Sequence, residues 1–196
     1  MKIRLTMIEE MLGTASNDPD IHREYIASKA PDAKSLEEEV AAIGADATFQ
    51  KSKTVFHRQS DGLPILFDYQ VKGFLKDACG MLSRVPGTKS KDLKAWRKTI
   101  DGLVFVFPRM LPLLLPEGSA IGECVRPLRA QTAQGERIAL ASSETVPAGT
   151  VLECEIRLLD DRHLSLVKEW LDYGQLRGLG QWRNSSKGRF TWEEIT

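Results

Sequence analysis

Cysteine and histidine are scarce in this chain, with three of each among 196 residues. Cys79, Cys124 and Cys154 are far apart, form no Cys-x-x-Cys spacing and sit among apolar neighbours, which describes buried thiols in a reducing compartment. His22, His57 and His163 lack the pairing that a zinc site needs, so neither a metal nor any other cofactor is expected. None of the three has a partner motif that would orient it as a general base. Long apolar runs are also missing. The best, 103–115, is short and is broken by Pro108, Arg109 and Pro112, so no membrane span is expected. Met1-Lys2-Ile3-Arg4 leads to Glu9 and Glu10 where a signal peptide would carry an apolar core, and a soluble cytoplasmic protein is expected.

Net charge is the remaining absence. Lys and Arg number 27, as do Asp and Glu, so attraction of the whole molecule to nucleic acid or to an anionic membrane is excluded as an argument. Any polyanion site must come from local segregation. Acidic residues crowd Glu37-Glu38-Glu39 and Glu193-Glu194, while 89–98 and 177–189 are basic.

The pattern along the chain reads as α+β. Lys2 to Thr6 alternates charged and apolar residues, as a half-buried first strand does. The segment 14–50 then reads as a helical insertion, with a short helix Ile21 to Ser28 and a second, Ser35 to Ile43, opened by a Ser35/Glu38 capping spacing and closed by Gly44. A strand Thr54 to Arg58, an extended Leu63 to Phe67 and a helix Gln70 to Ser83 follow; the helix sets Val71, Phe74, Leu75, Ala78 and Leu82 on one side. Lys89 to Thr99 is expected as a further helix with Lys91, Lys94 and Lys98 on one face. Leu103 to Phe107, Ile138 to Ser142 and Val151 to Leu159 read as strands, and Leu164 to Tyr173 as the last helix. One domain, 1–196, is expected, with a ferredoxin-like antiparallel sheet covered by helices on one face.

The most informative stretch closes the chain. Gly174 to Phe190, Gly-Gln-Leu-Arg-Gly-Leu-Gly-Gln-Trp-Arg-Asn-Ser-Ser-Lys-Gly-Arg-Phe, joins that helix to a strand Arg189 to Ile195. Gly174, Gly178, Gly180 and Gly188 permit sharp turns and expose N–H groups, and Arg177, Arg183, Lys187 and Arg189 add cations in the same segment. One reading is a loop that approaches a phosphate; the other is a tight helix-to-strand connection with solvated charges. Trp182, inside the loop, is the better placed of its tryptophans to stack on a base, Trp192 reading as core.

Three segments in one order carry a resemblance. Asp61 to Lys76 (Asp-Gly-Leu-Pro-Ile-Leu-Phe-Asp-Tyr-Gln-Val-Lys-Gly-Phe-Leu-Lys), Glu144 to Ile156 (Glu-Thr-Val-Pro-Ala-Gly-Thr-Val-Leu-Glu-Cys-Glu-Ile) and the glycine-rich loop resemble, over the last two-thirds of the chain, the RAMP superfamily of CRISPR effector subunits. Phe67-Asp68-Tyr69-Gln70 stands where that family has Pro-Gly-Ser-Ser, and Ser186 where a further loop glycine is expected. The resemblance implies a ferredoxin-like (RRM/RAMP-like) core, binding of single-stranded RNA through its backbone, and oligomeric filaments. Lys72 and Lys76 in the first segment and Arg177, Gly178, Gly180, Trp182, Arg183, Lys187, Gly188 and Arg189 in the loop are the candidate phosphate-binding residues. The loop cations are expected to share a concave surface with Lys72 or Lys76. Catalysis is not implied by default; Asp18 and Asp20 stand roughly where some members carry an aspartate that cleaves RNA, and helix capping accounts for them equally.

Arg126, Arg129 and Arg137, with Gln131 and Gln134 around Gly135, form a second concentration of hydrogen-bonding groups, either a thumb that inserts against a nucleotide or a solvated hairpin tip. Trp96, in the lysine-rich helix, reads as its apolar anchor or as a stacking ring beside cations. The functional readings are therefore a non-enzymatic binder of single-stranded RNA or a nucleotide-like polyanion; an inhibitor or regulator of a CRISPR-type or other antiviral complex, by mimicry or by sequestering a nucleotide signal, as small proteins of viral or mobile-element origin can be; and a metal-dependent endoribonuclease. The partners expected are RNA or such a polyanion, a CRISPR-type complex and further copies of the chain.

Overall fold

A computed structural model describes residues 1–17, 53–132 and 135–196, with side chains placed outside 128–140. Most of the expected insertion, including its two helices, Asp18 and Asp20, lies outside the described residues. In chain order the strands are β1 (Lys2–Met7), β2 (Met11–Leu12), β3 (Ala15–Ser16), β4 (Thr54–Val55), β5 (His57–Arg58), β6 (Pro64–Phe67), β7 (Val104–Phe107), β8 (Met110–Pro112), β9 (Gly122–Thr132), β10 (Gly135–Val146), β11 (Val151–Leu158) and β12 (Phe190–Ile195). The α-helices are α1 (Asp68–Leu82), α2 (Trp96–Leu103) and α3 (Leu164–Asp172).

The chain forms two compact units, one of residues 1–11, 57–121 and 146–196, the other of 12–56 and 122–145. In the first, a four-stranded antiparallel sheet has the order β12-β1-β11-β7. Reading β1-α1-β7-β11-α3-β12 along the chain, this is the ferredoxin-like arrangement. The terminal strands pair, as that arrangement requires, with Lys2 opposite Ile195 and Met7 opposite Phe190. Alternation assigns the two faces. Ile3, Leu5 and Met7 of β1 and Leu152, Cys154 and Ile156 of β11 are buried, as are Val71, Phe74, Leu75, Ala78 and Cys79 of α1 and Leu166, Val167, Trp170 and Leu171 of α3. The opposite face is a charge ladder: Arg4 bonds Glu153 of β11 at 2.7 Å and Glu193 of β12 at 3.0 Å. β5, β6 and β8 make a small separate sheet.

In the second unit β9 and β10 form a long hairpin, Gly135 opposite Thr132 and Thr145 opposite Gly122. β10 continues the sheet through a parallel contact of Ser143 with Thr54 of β4, which pairs in turn with β3. Ser143 and Thr54 also share a hydroxyl bond of 2.7 Å. The Ser142 hydroxyl and the Lys53 ammonium hold the Glu123 carboxyl below the usual range.

The chain departs from expectation at three places where a specific contact intervenes. Thr54 to Arg58 is two short strands because Phe56 is buried between them and gives its N–H to Glu144 Oε2 at 3.1 Å. α1 starts at Asp68, two residues early, since Gln70 Oε1 accepts the Phe67 N–H at 2.7 Å. The helix expected over Lys89 to Thr99 is a single 3₁₀ turn, Lys89–Asp92, followed by α2, which takes in Leu103. Glu169 of α3 captures the N–H groups of Lys89 and Ser90 at 2.7 and 3.0 Å, and Ser90 accepts the Trp170 indole N–H at 2.8 Å. Ala95 in the left-handed region (φ 50°, ψ 33°) then separates the turn from α2.

Burial pushes the Cys79 thiol up to about 11 and the Cys154 thiol up to about 12. At pH 8 only about one in a thousand Cys79 thiols, and fewer for Cys154, is ionised. Alkylation of the native protein at that pH should therefore modify at most Cys124, with Cys79 and Cys154 labelled only after denaturation; mass spectrometry of native and unfolded samples checks this.

Candidate nucleic-acid interface

After α3 the chain makes a 3₁₀ turn, Tyr173–Gln175, and enters the glycine-rich loop. Its glycines are where the chain crosses itself. A Cβ on Gly174 would enter the Phe190 ring, one on Gly178 would overlap the Gly188 backbone, and one on Gly188 (φ +70°) the Leu179 carbonyl. The Leu179 N–H donates to Gly188 O at 2.9 Å and Leu179 itself is buried, so the loop is pinned shut around that side chain. Gly180, Trp182, Ser186 and Gly188 all have positive φ. Ser186, at the position where a glycine was expected, holds the left-handed conformation that glycine favours (φ 64°). The loop is tied to the segment after β1 by Gly188 N–H to Glu10 O and Ile8 N–H to Arg189 O, both 2.8 Å.

Every cation of the loop has a carboxylate partner. Arg177 Nε and Arg183 Nη1 converge on one oxygen of Asp77 in α1, at 2.8 and 2.9 Å. Arg177 also donates to Asn184 Oδ1 at 2.8 Å. Lys187 pairs with Glu10 at 2.6 Å and Arg189 with Glu9 at 3.1 Å. Lys72 and Lys76 lie on α1, as Asp77 does, yet turn to the last turn of α2: Lys76 pairs with the Asp101 carboxylate and Lys72 donates to the Asp101 carbonyl at 2.9 Å. The structure thus brings Arg177 and Arg183 together at Asp77 and gives Lys187, Arg189, Lys72 and Lys76 other partners. Trp182 stands 40% exposed on the loop, whereas Trp192 is half-buried, not core, its indole N–H on Asp172 at 2.8 Å.

The segment that departs from the family pattern builds its own cluster at the start of α1. Arg109 bonds Asp68 at 2.7 Å and lies 5.4 and 5.3 Å from the Phe67 and Tyr69 ring centres, which stack 5.4 Å apart. Asp68 is therefore neutralised by Arg109. His57 meets the Phe67 ring edge-on at 4.9 Å, packing that assigns it to this cluster. In the second unit, Arg126 is buried and donates to Ser143 Oγ at 3.0 Å; Arg129 and Arg137 lie in the hairpin backbone, opposite Ile138 and Ala130.

No protein-family model matches the chain, and no curated protein matches it. Solved structures do. A chain of the Type III-B Cmr-beta complex bound to cognate target RNA is similar with a TM-score of 0.55 and 10% identity, over 100% of this chain and 58% of that one. The fold is shared with that chain. This chain thus spans little more than half the length of that structural neighbour. A chain of a Type IV-B CRISPR complex is similar at a TM-score of 0.47, with 12% identity over 98% of this chain and 90% of that one. For a crystal structure of Cmr4 the values are 0.45 and 12%, over 100% of this chain and 99% of that one.

Sequence reasoning missed Asp77, Glu9, Glu10 and Arg109. Asp77 carried a signal, a carboxylate beside the apolar stripe of α1, but nothing in the sequence tells which loop it faces. Among the described residues no group of three His, Cys, Asp or Glu side chains is arranged to hold a metal, and no helix is long and apolar enough to cross a membrane.

The crossing geometry sets opposite expectations for two loop positions. Gly188→Ala should cost at least about 2 kcal/mol, through overlap and a disfavoured φ together. Ser186→Gly should be neutral or stabilising by up to about 1 kcal/mol. Urea unfolding of both variants distinguishes a loop held by backbone contact from one in which glycine merely supplies freedom.

Proposed function

We propose that the protein is a non-enzymatic, RAMP-like nucleic-acid-binding protein that contacts single-stranded RNA, or a related phosphate polyanion, through the glycine-rich loop. The observation that carries this reading is the convergence of Arg177 and Arg183 on a single Asp77 oxygen. Two guanidinium groups against one carboxylate leave a unit of positive charge on a loop whose backbone is already fixed, and guanidinium forks suit phosphate oxygens. Trp182 beside them offers an aromatic face to a base. The solved complex that shares the fold is described as bound to target RNA. In this reading the likeness extends to RNA, to a CRISPR-type complex and to further copies of the chain as partners.

A second reading draws on the same ion pairs. With Lys187 and Arg189 each paired to a carboxylate, Glu10 and Glu9, and with no net charge on the chain, the surface is less basic than an RNA channel requires. A protein with the fold of an effector subunit and a muted RNA surface suits a regulator that docks on a CRISPR-type complex by mimicry, as a viral or mobile-element protein would.

Fluorescence anisotropy with labelled single-stranded RNA across a salt series tests the first reading. Arg183→Ala with Lys187→Ala should weaken binding and flatten the salt slope by about one unit for each phosphate that is no longer neutralised; unchanged binding assigns those residues to solvation. Asp77→Asn is expected to act oppositely on two readouts. It should lower stability by about 1.5–3 kcal/mol, the range for hydrogen bonds to charged groups, and tighten RNA binding by releasing both arginines.

A further inference from the structure

The loop cations are paired; among the described residues, the cations of a second basic region are not. From 84 to 98 the chain carries Arg84, Lys89, Lys91, Lys94, Arg97 and Lys98 against one carboxylate, Asp92. Here, between α1 and the start of α2, lies an open cleft of about 490 Å³, in the size range of small-ligand sites. Arg84, Arg97 and Lys98 line it together with Trp96, Ser83 and Gly80, and no carboxylate does. Among the described residues none of these three cations forms an ion pair, and all three are exposed.

The aromatic wall is positioned by backbone. Ala95, in the left-handed region, turns the chain so that Trp96 lies over α1 at Gly80, where an added Cβ would stand 3.2 Å from the indole. A glycine is what lets the indole sit this close to the helix. The Arg97 guanidinium lies 5.0 Å from the indole ring centre. The lining is thus a half-buried flat ring, two guanidinium forks and an ammonium, in one concave place with no internal acid to satisfy them. Three like charges there raise the local positive potential. A ligand that answers both features needs a phosphate and a planar ring.

We propose that this cleft binds a nucleotide, its base stacked on Trp96 and its phosphate held by Arg84, Arg97 and Lys98. The site is separate from the glycine-rich loop and does not depend on the reading of it. A free nucleotide and an unpaired residue of an RNA strand present the same chemistry, and the experiment below tells them apart.

Isothermal titration of the full chain with adenosine 5′-monophosphate, adenosine, inorganic phosphate and a 5′-phosphorylated single-stranded hexaribonucleotide provides the test. The monophosphate or the hexamer should bind at least about ten-fold more tightly than adenosine or phosphate alone, because the two features act together. Tight binding of the monophosphate identifies a free nucleotide as sufficient; binding of the hexamer alone identifies the strand. Arg84→Gln with Lys98→Gln, both exposed, should weaken binding about ten-fold or more without moving the melting temperature. Trp96→Phe should retain most of the affinity and Trp96→Leu should abolish it, with circular dichroism confirming that each is folded. Phosphate binding as tightly as the nucleotide would overturn the proposal, as would nucleotide binding indifferent to all these variants or absent altogether. RNA binding that survives R84Q/K98Q but disappears in R183A/K187A leaves the loop reading standing and removes this one; the reverse pattern keeps the cleft and removes the loop.

Discussion

The pairing of β1 with β11 on one side and β12 on the other fixes the register on which the rest of the first unit depends. Ile3, Leu5 and Met7 point into the layer of α1 and α3, while Arg4 holds Glu153 and Glu193 across three strands of the other face. The Met1 ammonium adds a bond of 2.9 Å to Ile156 O. Directly after β1, the turn at Ile8 to Glu10 supplies the carbonyl, N–H and carboxylates that receive the glycine-rich loop. A slip of one residue between β1 and β12 would reverse the faces of the strand and would also detach the loop from its anchors.

Positive charge therefore occurs in two physical states on a molecule whose total is zero. Around the loop it is opposed at close range by Asp77, Glu9 and Glu10, and much of what it gives is shape: three carboxylates hold a strained loop in one conformation. Around Trp96 no described carboxylate opposes it. Paired cations form part of a preorganised surface but contribute little net field; unpaired ones attract anions from a distance. A neutral composition conceals this division completely, which is why local contacts, and not formal charge, decide where a polyanion is drawn.

Much of the fold was legible because periodicity reports burial. The alternation in Lys2 to Thr6 and Val151 to Leu159, and the stripe Val71, Phe74, Leu75 and Ala78, each correspond to a face that is buried in the structure. The order of elements was compatible with the ferredoxin-like sheet, which the resemblance also implied. What periodicity could not report was where a side chain at long range would override it. Glu169, about 80 residues from Ser90, turns a lysine-rich run that reads as helix into a single tight turn, and the Glu144 carboxylate interrupts a strand at Phe56. The site was legible in the same partial way. Glycines and cations marked the loop from composition alone. Their partners come from β1's far end and the middle of α1, distant in sequence and free to be acidic for many reasons.

The register of β1 has a consequence for how the chain reaches its fold. This strand finds its neighbours only at Val151 to Leu158 and Phe190 to Ile195, so both of its hydrogen-bonding edges stay open until those segments have been synthesised. Pairings of that sequence separation close slowly, and an apolar strand with open edges is the part of a nascent protein most exposed to wrong pairing. The charged residues at alternate positions, Lys2 and Arg4, keep the waiting strand from stacking on itself, and Arg4 then serves a second time: once Glu153 and Glu193 arrive, it locks the strand in place.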